Sequence, residues 1–589
     1  MFSMETKMST FVQNLIFMNN KNKHLLLLML TIFMSISGYS QDIISGVVSD
    51  KDGIPMIGAT VLIQGTNRGT TTDFDGKFSI ETTEAVSLKI TYVGFKATYI
   101  KAVPGAVLQI TLEASNALDE VVLTALGIKR EEKALGYSVQ GITASEISQV
   151  KATNVVNALA GKVAGVSITG SSAGPSASSN ITIRGASSLM GNNQPLFIVN
   201  GMPITNDLYT FDDGLNGSTS IDFGNAAQVV NSDDIENISI LKGPAASALY
   251  GSRAASGVIL IQTKTGKNNG DPFSVELNSS VLFSSPLKLP NYQNEYGAGG
   301  GGKYSYLNGS TYIGANENYD AYGENWGPRM NGQLIKQFNS DGEAVPFTPA
   351  PNNIRDFYET ALTHITNVAV NTSSQDANSR FSYTHLGNDG LIPNTGLERN
   401  TFQTSINRSL FDNKLNIGFN NMFVRSTSDN IPNSGYDESS SVMYGWLWLP
   451  RQVAINDLRD YWQPGQEGVE QRYAENLWVN NPWFIAYENT NAFQSNRNIS
   501  NINLDYQIND YANLRFRYGV DYVDEQRQYK RAPSTKGVLN GSYREDEISF
   551  RESNAEWLLS LNPTPNESNL IDVDLKVGGN LMSQQANFS

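Results

Sequence analysis

Long stretches of the chain alternate strictly between apolar and polar residues, and this period of two predicts β-strands. The pattern is strongest after about residue 271. Leu514, Phe516, Tyr518, Val520 and Tyr522 are separated by Arg515, Arg517, Gly519 and Asp521. Leu415, Ile417 and Phe419 alternate with Asn416, Gly418 and Asn420, and Ile571, Val573, Leu575 and Val577 with Asp572, Asp574 and Lys576. Each such strand has one apolar and one polar face. A transmembrane β-barrel, with lipid outside and a polar lumen, satisfies this. A large soluble sandwich with half-buried strands also does. Phe411-Asp412-Asn413-Lys414 and Asn509-Asp510-Tyr511-Ala512-Asn513 predict short turns at one end, and the stretches of about 290–350 and 426–498 predict long loops at the other.

Shorter runs precede this region. Ile43 to Ser49, Ala59 to Gln64, Lys77 to Glu81, Val86 to Tyr92 and Val107 to Leu112 are divided by the turn signals Asp52-Gly53, Asp75-Gly76 and Pro104-Gly105. Residues 42–115 are therefore expected to form a small antiparallel sandwich. Asp73-Phe-Asp75-Gly76 has the look of a calcium loop but lacks a third acidic ligand and the distal Glu, so a hairpin turn is expected. Over 116–140, a β-prone octet, Leu118-Asp119-Glu120-Val121-Val122-Leu123-Thr124-Ala125, leads into the mixed charges of Lys129 to Lys133. It reads either as a strand that adds to another protein's sheet edge or as one more structural strand.

Residues 141–268 mix the two periods. Thr143-Ala-Ser145-Glu146 resembles a capping sequence. Asn154 to Ala160 and Ala245 to Tyr250 are expected to be helical. Val163 to Ile168, Ile181 to Ile183, Leu196 to Val199, Ile235 to Leu241 and Gly257 to Lys264 are expected to be strands.

At the N-terminus, Lys21, Lys23 and His24 precede an apolar run from Leu25 to Ile36, which is too short to span a bilayer but fits the h-region of a leader. Small residues at Gly38 and Ser40 suggest cleavage before Gln41, so 1–40 is expected to be a secretory signal peptide, with Met18 as an alternative start. No later segment reads as a membrane helix; a secreted chain of this kind can still enter a membrane as a barrel.

Composition removes several function classes. Cys is absent, which excludes thiolate zinc, disulfides and Fe–S clusters, and there are three His in 589 residues, too few for a His-rich metal centre or a readily found triad. A net charge of −15 argues against nucleic-acid binding. No metal, cofactor or catalytic residue is expected. Charged residues amount to 17% against 10% aromatic, with 51 Gly, a balance that suits many strands and long loops. Gly297 to Lys303 mimics a phosphate loop by spacing, but Tyr304 stands where Ser or Thr should hold magnesium, and no strand–helix frame surrounds it. His364 and His385 fall in strand-like segments without a third ligand and are read as satisfied polar residues. Five of the seven Trp lie between Trp446 and Trp483. Trp446, Trp448, Trp462, Trp478 and Trp483 are candidates for stacking on sugar rings, with loop packing and an interfacial girdle as the alternatives.

Four segments carry a resemblance. ISGVVSDKDGIPMIGATVLIQGTNRGTTTDFDGKFSI is similar to the carboxypeptidase-regulatory-like domain, a fold name that implies no peptidase. LDEVVLTALGIKREEKALGYSVQ is similar to the TonB-box segment of SusC/RagA-type TonB-dependent outer-membrane transporters, with Leu123 where Val is usual. NALAGKVAGVSI, ITIRGASSL, QPLFIVNGMPI and, most specific, ISILKGPAASALYGSRAASGVILIQTKTG resemble that family's plug; Asn200 replaces its usual Asp. The resemblance implies a mainly β chain: the sandwich, a TonB-box linker at 116–140, an α/β plug at 141–268, and a transmembrane antiparallel barrel from 271. Leu118 to Ala125 would bind TonB, and Arg184 and Arg253 would either hold the plug to lumen carboxylates or lie solvated. It further implies import of an oligosaccharide or peptide, a SusD-like surface lipoprotein as partner, outer-membrane lipid around the barrel, and no enzyme activity. A surface receptor or adhesin without transport, a non-functional fragment and a hydrolase are the rivals.

Plugged transporters close with 22 strands, which needs roughly 550–660 residues. Residues 271–589 number 319. The barrel is therefore expected to be incomplete, the chain being the N-terminal part of a longer transporter.

Overall fold

The computed structural model describes residues 43–589 apart from 113–120, 124–128, 132–138, 207–220, 244–249, 315–324, 338–342, 474–478, 563–572 and several gaps of one to four residues. The expected leader, the helix at Ala245 to Tyr250 save its last residue, and Ile571 lie outside the described residues. The chain divides into two compact units, Met1–Glu120 and Val121–Ser589.

The first unit has seven strands: β1 (Ile43–Ser49), β2 (Thr60–Ile63), β3 (Gly69–Thr71), β4 (Lys77–Glu81), β5 (Val86–Thr91), β6 (Thr98–Ala102) and β7 (Val107–Thr111). They form two sheets, β4-β1-β7 and β3-β2-β5-β6, around a core of Ile44, Val48, Val61, Leu88, Ile90, Ile110 and Leu112. The expected antiparallel sandwich holds except at one pair: β1 and β7 run parallel. They are the first and last strands, joined through the other five, so no hairpin dictates their sense. Asp73 Oδ1 accepts from the N–H groups of Asp75 (2.9 Å) and Lys77 (2.8 Å), and Gly76 takes φ +72°. The acidic turn thus satisfies its own backbone, as expected of a hairpin.

The second unit opens on a small hairpin of β8 (Val121–Leu123) and β9 (Lys129–Glu131). A five-stranded sheet follows in the order β10-β15-β16-β13-β14, from β10 (Val139–Thr143), β13 (Leu196–Val199), β14 (Met202–Ile204), β15 (Ile235–Leu241) and β16 (Val258–Thr263), with β11 (Val166–Gly170) and β12 (Ser179–Ile183) paired beside it. α1 (Ala144–Ser148) starts at Thr143, whose N–H donates to Glu146 Oε2 (2.9 Å), one arm of the capping box. The helix expected at Asn154 to Ala160 is instead a 3₁₀ turn at Val155–Leu159 capped by Asn154; two successive β-branched residues weaken the α-helix there. Asn200-Gly201 makes the β13–β14 hairpin with φ of +50° and +83°, the left-handed pair a two-residue turn requires.

The wall is one meander of nine antiparallel strands: β17 (Phe273–Ser284), β22 (Ala361–Ser373), β23 (Ala377–Asp389), β24 (Gly396–Leu410), β25 (Leu415–Ser428), β26 (Asn491–Asn509), β27 (Ala512–Arg531), β28 (Ser542–Leu561) and β29 (Leu575–Phe588). Between β17 and β22 lie two small hairpins, β18 (Ser305–Asn308) with β19 (Thr311–Gly314) and β20 (Leu334–Lys336) with β21 (Ala344–Pro346). Each wall strand outspans the 9–11 or so residues a membrane crossing needs. Short turns at Ser374 to Asp376, Phe411 to Lys414 and Asp510 to Tyr511 share one end; the long connections 285–360 and 429–490 share the other. β17 and β29 are the edges, and no pairing joins them among the described residues, so the wall is an open sheet.

Candidate functional site

The five-stranded sheet lies against one face of the wall. Its core of Ile142, Val156, Phe197, Ile204, Ile238, Ile240 and Ile259 is continuous with Met422, Val424 and Ile499, which point inward from β25 and β26. Apolar contact is therefore the base of the interface, but most of the wall's inner positions are polar, and each buried polar group needs a partner.

Four wall arginines supply the partners. Arg380, fully buried on β23, donates to Asp234 Oδ1 (2.9 Å), Glu276 Oε2 (3.2 Å) and Asn371 Oδ1 (2.9 Å). Arg399 on β24 donates to the Gln228 carbonyl (2.6 Å), the Gln228 side chain (2.7 Å) and the Thr153 carbonyl (3.2 Å). Arg497 grips Asp521 through two bonds (2.9 and 2.7 Å) and donates to the Thr205 carbonyl (3.0 Å), while Asp521 accepts from the Thr205 N–H (3.1 Å). Arg517 donates to the Gly201 carbonyl (3.0 Å). A side chain on Gly201 would collide with that guanidinium, and one on Gly519 with Met202, so two glycines let sheet and wall approach. From the other side, Arg253 forms a bidentate pair with buried Glu552 (3.0 and 3.1 Å). Arg253 was one of two arginines expected to reach a lumen carboxylate. Arg184, the other, is exposed at a positive-φ turn. The wall arginines were not singled out from sequence; Arg-x-Arg at 515–517, on the polar side of an alternating run, was the available signal.

The long loops fold into a subdomain of their own. Trp446 on α2 (Val442–Leu447) and Trp483 on α3 (Pro482–Glu488) are 3% exposed and pack with Phe357, Leu449, Ile455 and Leu458. Trp483 Nε1 donates to the Ile455 carbonyl (2.8 Å), and Asn481 caps α3 through the Trp483 N–H (2.9 Å). Arg451 ties the two loops by donating to Asn294 Oδ1 (2.8 Å), the Gln293 carbonyl (3.1 Å) and Asn353 Oδ1, and burial holds its pKa below the usual value. Tyr461 stacks on Tyr487 and bonds Glu488 (3.0 Å); burial, then that bond, push its hydroxyl up to about 12. Of the five candidate tryptophans, Trp446 and Trp483 thus serve the loop core, Trp462 is half-buried against Phe484, Trp448 is 41% exposed, and Trp478 lies outside the described residues.

Of the cavities along the sheet–wall interface, two differ in lining. One, of about 510 Å³, has a mixed lining, with Asn225, Arg497, Glu525 and Arg527 beside apolar groups such as Phe223 and Val523. The other, of about 590 Å³, opens toward the loop subdomain and is lined chiefly by apolar groups such as Leu282, Leu289, Tyr358, Ile392 and Met443, with Trp446 at its edge. Among the described residues, no three His, Cys, Asp or Glu side chains are placed to hold a metal. In the octet, Val121 to Leu123 form β8; Leu118, Asp119, Glu120, Thr124 and Ala125 lie outside the described residues.

A sheet-bearing domain packed against one face of an antiparallel wall is the arrangement of a plug on a barrel wall, and the comparisons agree. Residues 131–258 match the TonB-dependent Receptor Plug Domain and residues 44–123 the CarboxypepD_reg-like domain. The TonB-dependent receptor SusC of Bacteroides thetaiotaomicron is 29% identical over 85% of this chain and 46% of its own length. The chain carries a plug domain of the TonB-dependent receptor kind and is similar to the SusC-type receptors. A second TonB-dependent receptor, from Formosa agariphila, is 27% identical over 84% of this chain and 44% of its own. The RagAB peptide importer in its open-open state shares the fold, with a TM-score of 0.59 at 19% identity, covering 80% of this chain and 49% of that one. The chain spans about half the length of the curated relatives it matches.

Proposed function

We propose that the chain serves TonB-dependent import, across the outer membrane, of a nutrient too large for porins, an oligosaccharide or a peptide. The observation that carries this reading is the plug held in the wall by buried arginines: Arg380 to Asp234, Arg399 to the Gln228 carbonyl, Arg497 to the Thr205 carbonyl. Such an interface blocks a lumen at rest, yet is polar enough to exchange its bonds for water when pulled. Leu118 to Ala125, upstream of the plug, are the segment proposed to receive the pull by pairing with TonB. A SusD-like lipoprotein is the proposed partner at the long-loop end, where the folded subdomain offers it a preformed surface. Residues 1–40 are proposed as the leader that brings the chain to the membrane, 42–115 as the regulatory-like sandwich, 116–140 as the linker, 141–268 as the plug, and 271–589 as barrel wall. Trp448 and Trp462 keep faces available to a ligand. No catalytic residue is assigned, since the ligand needs no bond made or broken.

Deleting Leu118 to Ala125 from the chromosomal gene tests this. Uptake of the nutrient the cells depend on should cease while surface binding persists. Undiminished uptake would sink the importer reading, and loss of binding together with uptake would point to a misassembled protein, checked by its level in outer membranes.

A further inference from the structure

The three histidines of the chain are His24, in the expected leader, and His364 and His385 on the wall. The fold brings the latter two together. His364 lies opposite Gly387 in the β22–β23 register and His385 opposite Thr366, so the two are diagonal neighbours on one face. That face is the outer one: inward positions Thr363, Ile365 and Asn367 are buried, and His364 between them is exposed. A side chain at position 387 would collide with the His364 ring, so Gly387 opens the slot into which that ring leans. The two Nε2 atoms are 3.2 Å apart and share a hydrogen bond, which a bound metal ion would replace.

The neighbours fix what His385 presents. Asn400 Nδ2 donates to Glu398 Oε1 (2.9 Å), and the Tyr383 hydroxyl donates to Asn400 Oδ1 (2.6 Å). The amide is thereby oriented with its oxygen toward His385 Nδ1, 3.0 Å away. An amide oxygen only accepts, so Nδ1 carries the proton and the Nε2 lone pair of His385 points at His364. A carbonyl-type acceptor behind an imidazole is the usual support of a metal-binding ring. Two nitrogens bound to one tetrahedral metal at about 2.0–2.1 Å sit roughly 3.3 Å apart, the separation seen here. Glu398 adds a negative charge, with Oε1 4.0 Å from His385 Nδ1.

We propose that His364 and His385 form a surface site for one divalent transition ion of the zinc, copper or nickel class, which ties β22 to β23 on the outer face of the wall. Imidazole pairs select such ions over magnesium or calcium. The level suits it. Tyr383, Phe402 and Phe423 form one cross-strand row, and His385, Asn400 and Arg425 form the next row toward the long-loop end. The first row reads as an interfacial girdle, which places the imidazoles in the hydrated layer just beyond it. Water completes the coordination.

The test uses native outer membranes carrying the protein without a polyhistidine tag. Zinc sulfate, and separately copper sulfate, should protect both imidazoles from diethylpyrocarbonate, read by mass spectrometry, whereas magnesium should not. With the detergent-solubilised chain, calorimetry should find one zinc per molecule. Affinity should fall at least tenfold in His364→Ala and in His385→Ala, and about tenfold or more in Asn400→Ala, which frees the His385 tautomer. Thr404→Ala, on the same face, should change nothing. No protection in the wild-type membranes, or equal zinc affinity in wild type and a His364→Ala/His385→Ala double variant, would overturn the proposal; the membrane measurement needs no variant to fold.

Discussion

At the scale of single residues, the interface between plug and wall turns on charges taken out of water. Arg380 and Asp234 are both essentially inaccessible, and a buried ion left without its partner is costly. Arg380→Met should destabilise plug docking by about 3–5 kcal/mol, seen as faster hydrogen exchange across Ser232 to Leu241, and Arg380→Met/Asp234→Leu should recover much of that loss. Glu146 behaves differently because it is exposed. Hydrogen bonds from the Thr143 backbone and then its hydroxyl hold its carboxyl below the usual value. Its contribution is present above the unfolded carboxylate pKa and is lost as pH falls through the lower folded one. Exchange protection of Ala144–Ser148 should therefore drop on acidification in the wild type and be lower and flat in Glu146→Gln. The capping sequence was legible beforehand, since caps depend on residues three apart. The partners of Arg380 were not, because Asp234 is 146 positions away in sequence.

At the scale of elements, alternation marked three of the wall strands, and those at 415 and 512 start where the pattern does or close to it. It failed where neighbours decide. The parallel β1–β7 pair answers to tertiary packing rather than to local period, and the 3₁₀ turn at Val155–Leu159 to the β-branched Val155 and Val156 that the period ignores. The loops gave the least warning: a stretch rich in Asn and aromatics reads as irregular, yet its aromatics make a core. Trp483→Ala should remove about 3–5 kcal/mol from that core. Limited proteolysis should then cut within 429–490 while the strand signal in circular dichroism stays unchanged. Trp448→Ala, being partly exposed, should leave proteolysis as it was.

At the scale of the whole molecule, the proposed import requires the plug to move, and that movement can be locked. The chain has no Cys, so introduced thiols meet no background. Asn231 Nδ2 donates to Thr384 Oγ1 (2.9 Å) across the interface, and Asn231→Cys/Thr384→Cys, once oxidised, should hold the plug to β23. Nutrient uptake by cells carrying the pair should fall severalfold and return on reduction, with surface binding unchanged; uptake insensitive to the cross-link would mean the plug conducts without leaving the wall there. The sequence by itself determined that short strands come first, a mixed helix–strand segment next and long two-faced strands last, because these follow from local period and turn chemistry. Only the tertiary structure decided which inward arginine meets which plug group, that two tryptophans are core rather than contact surface, and that two histidines 21 residues apart share one spot. Those depend on strand register and on the seating of one domain against another, which no local pattern encodes.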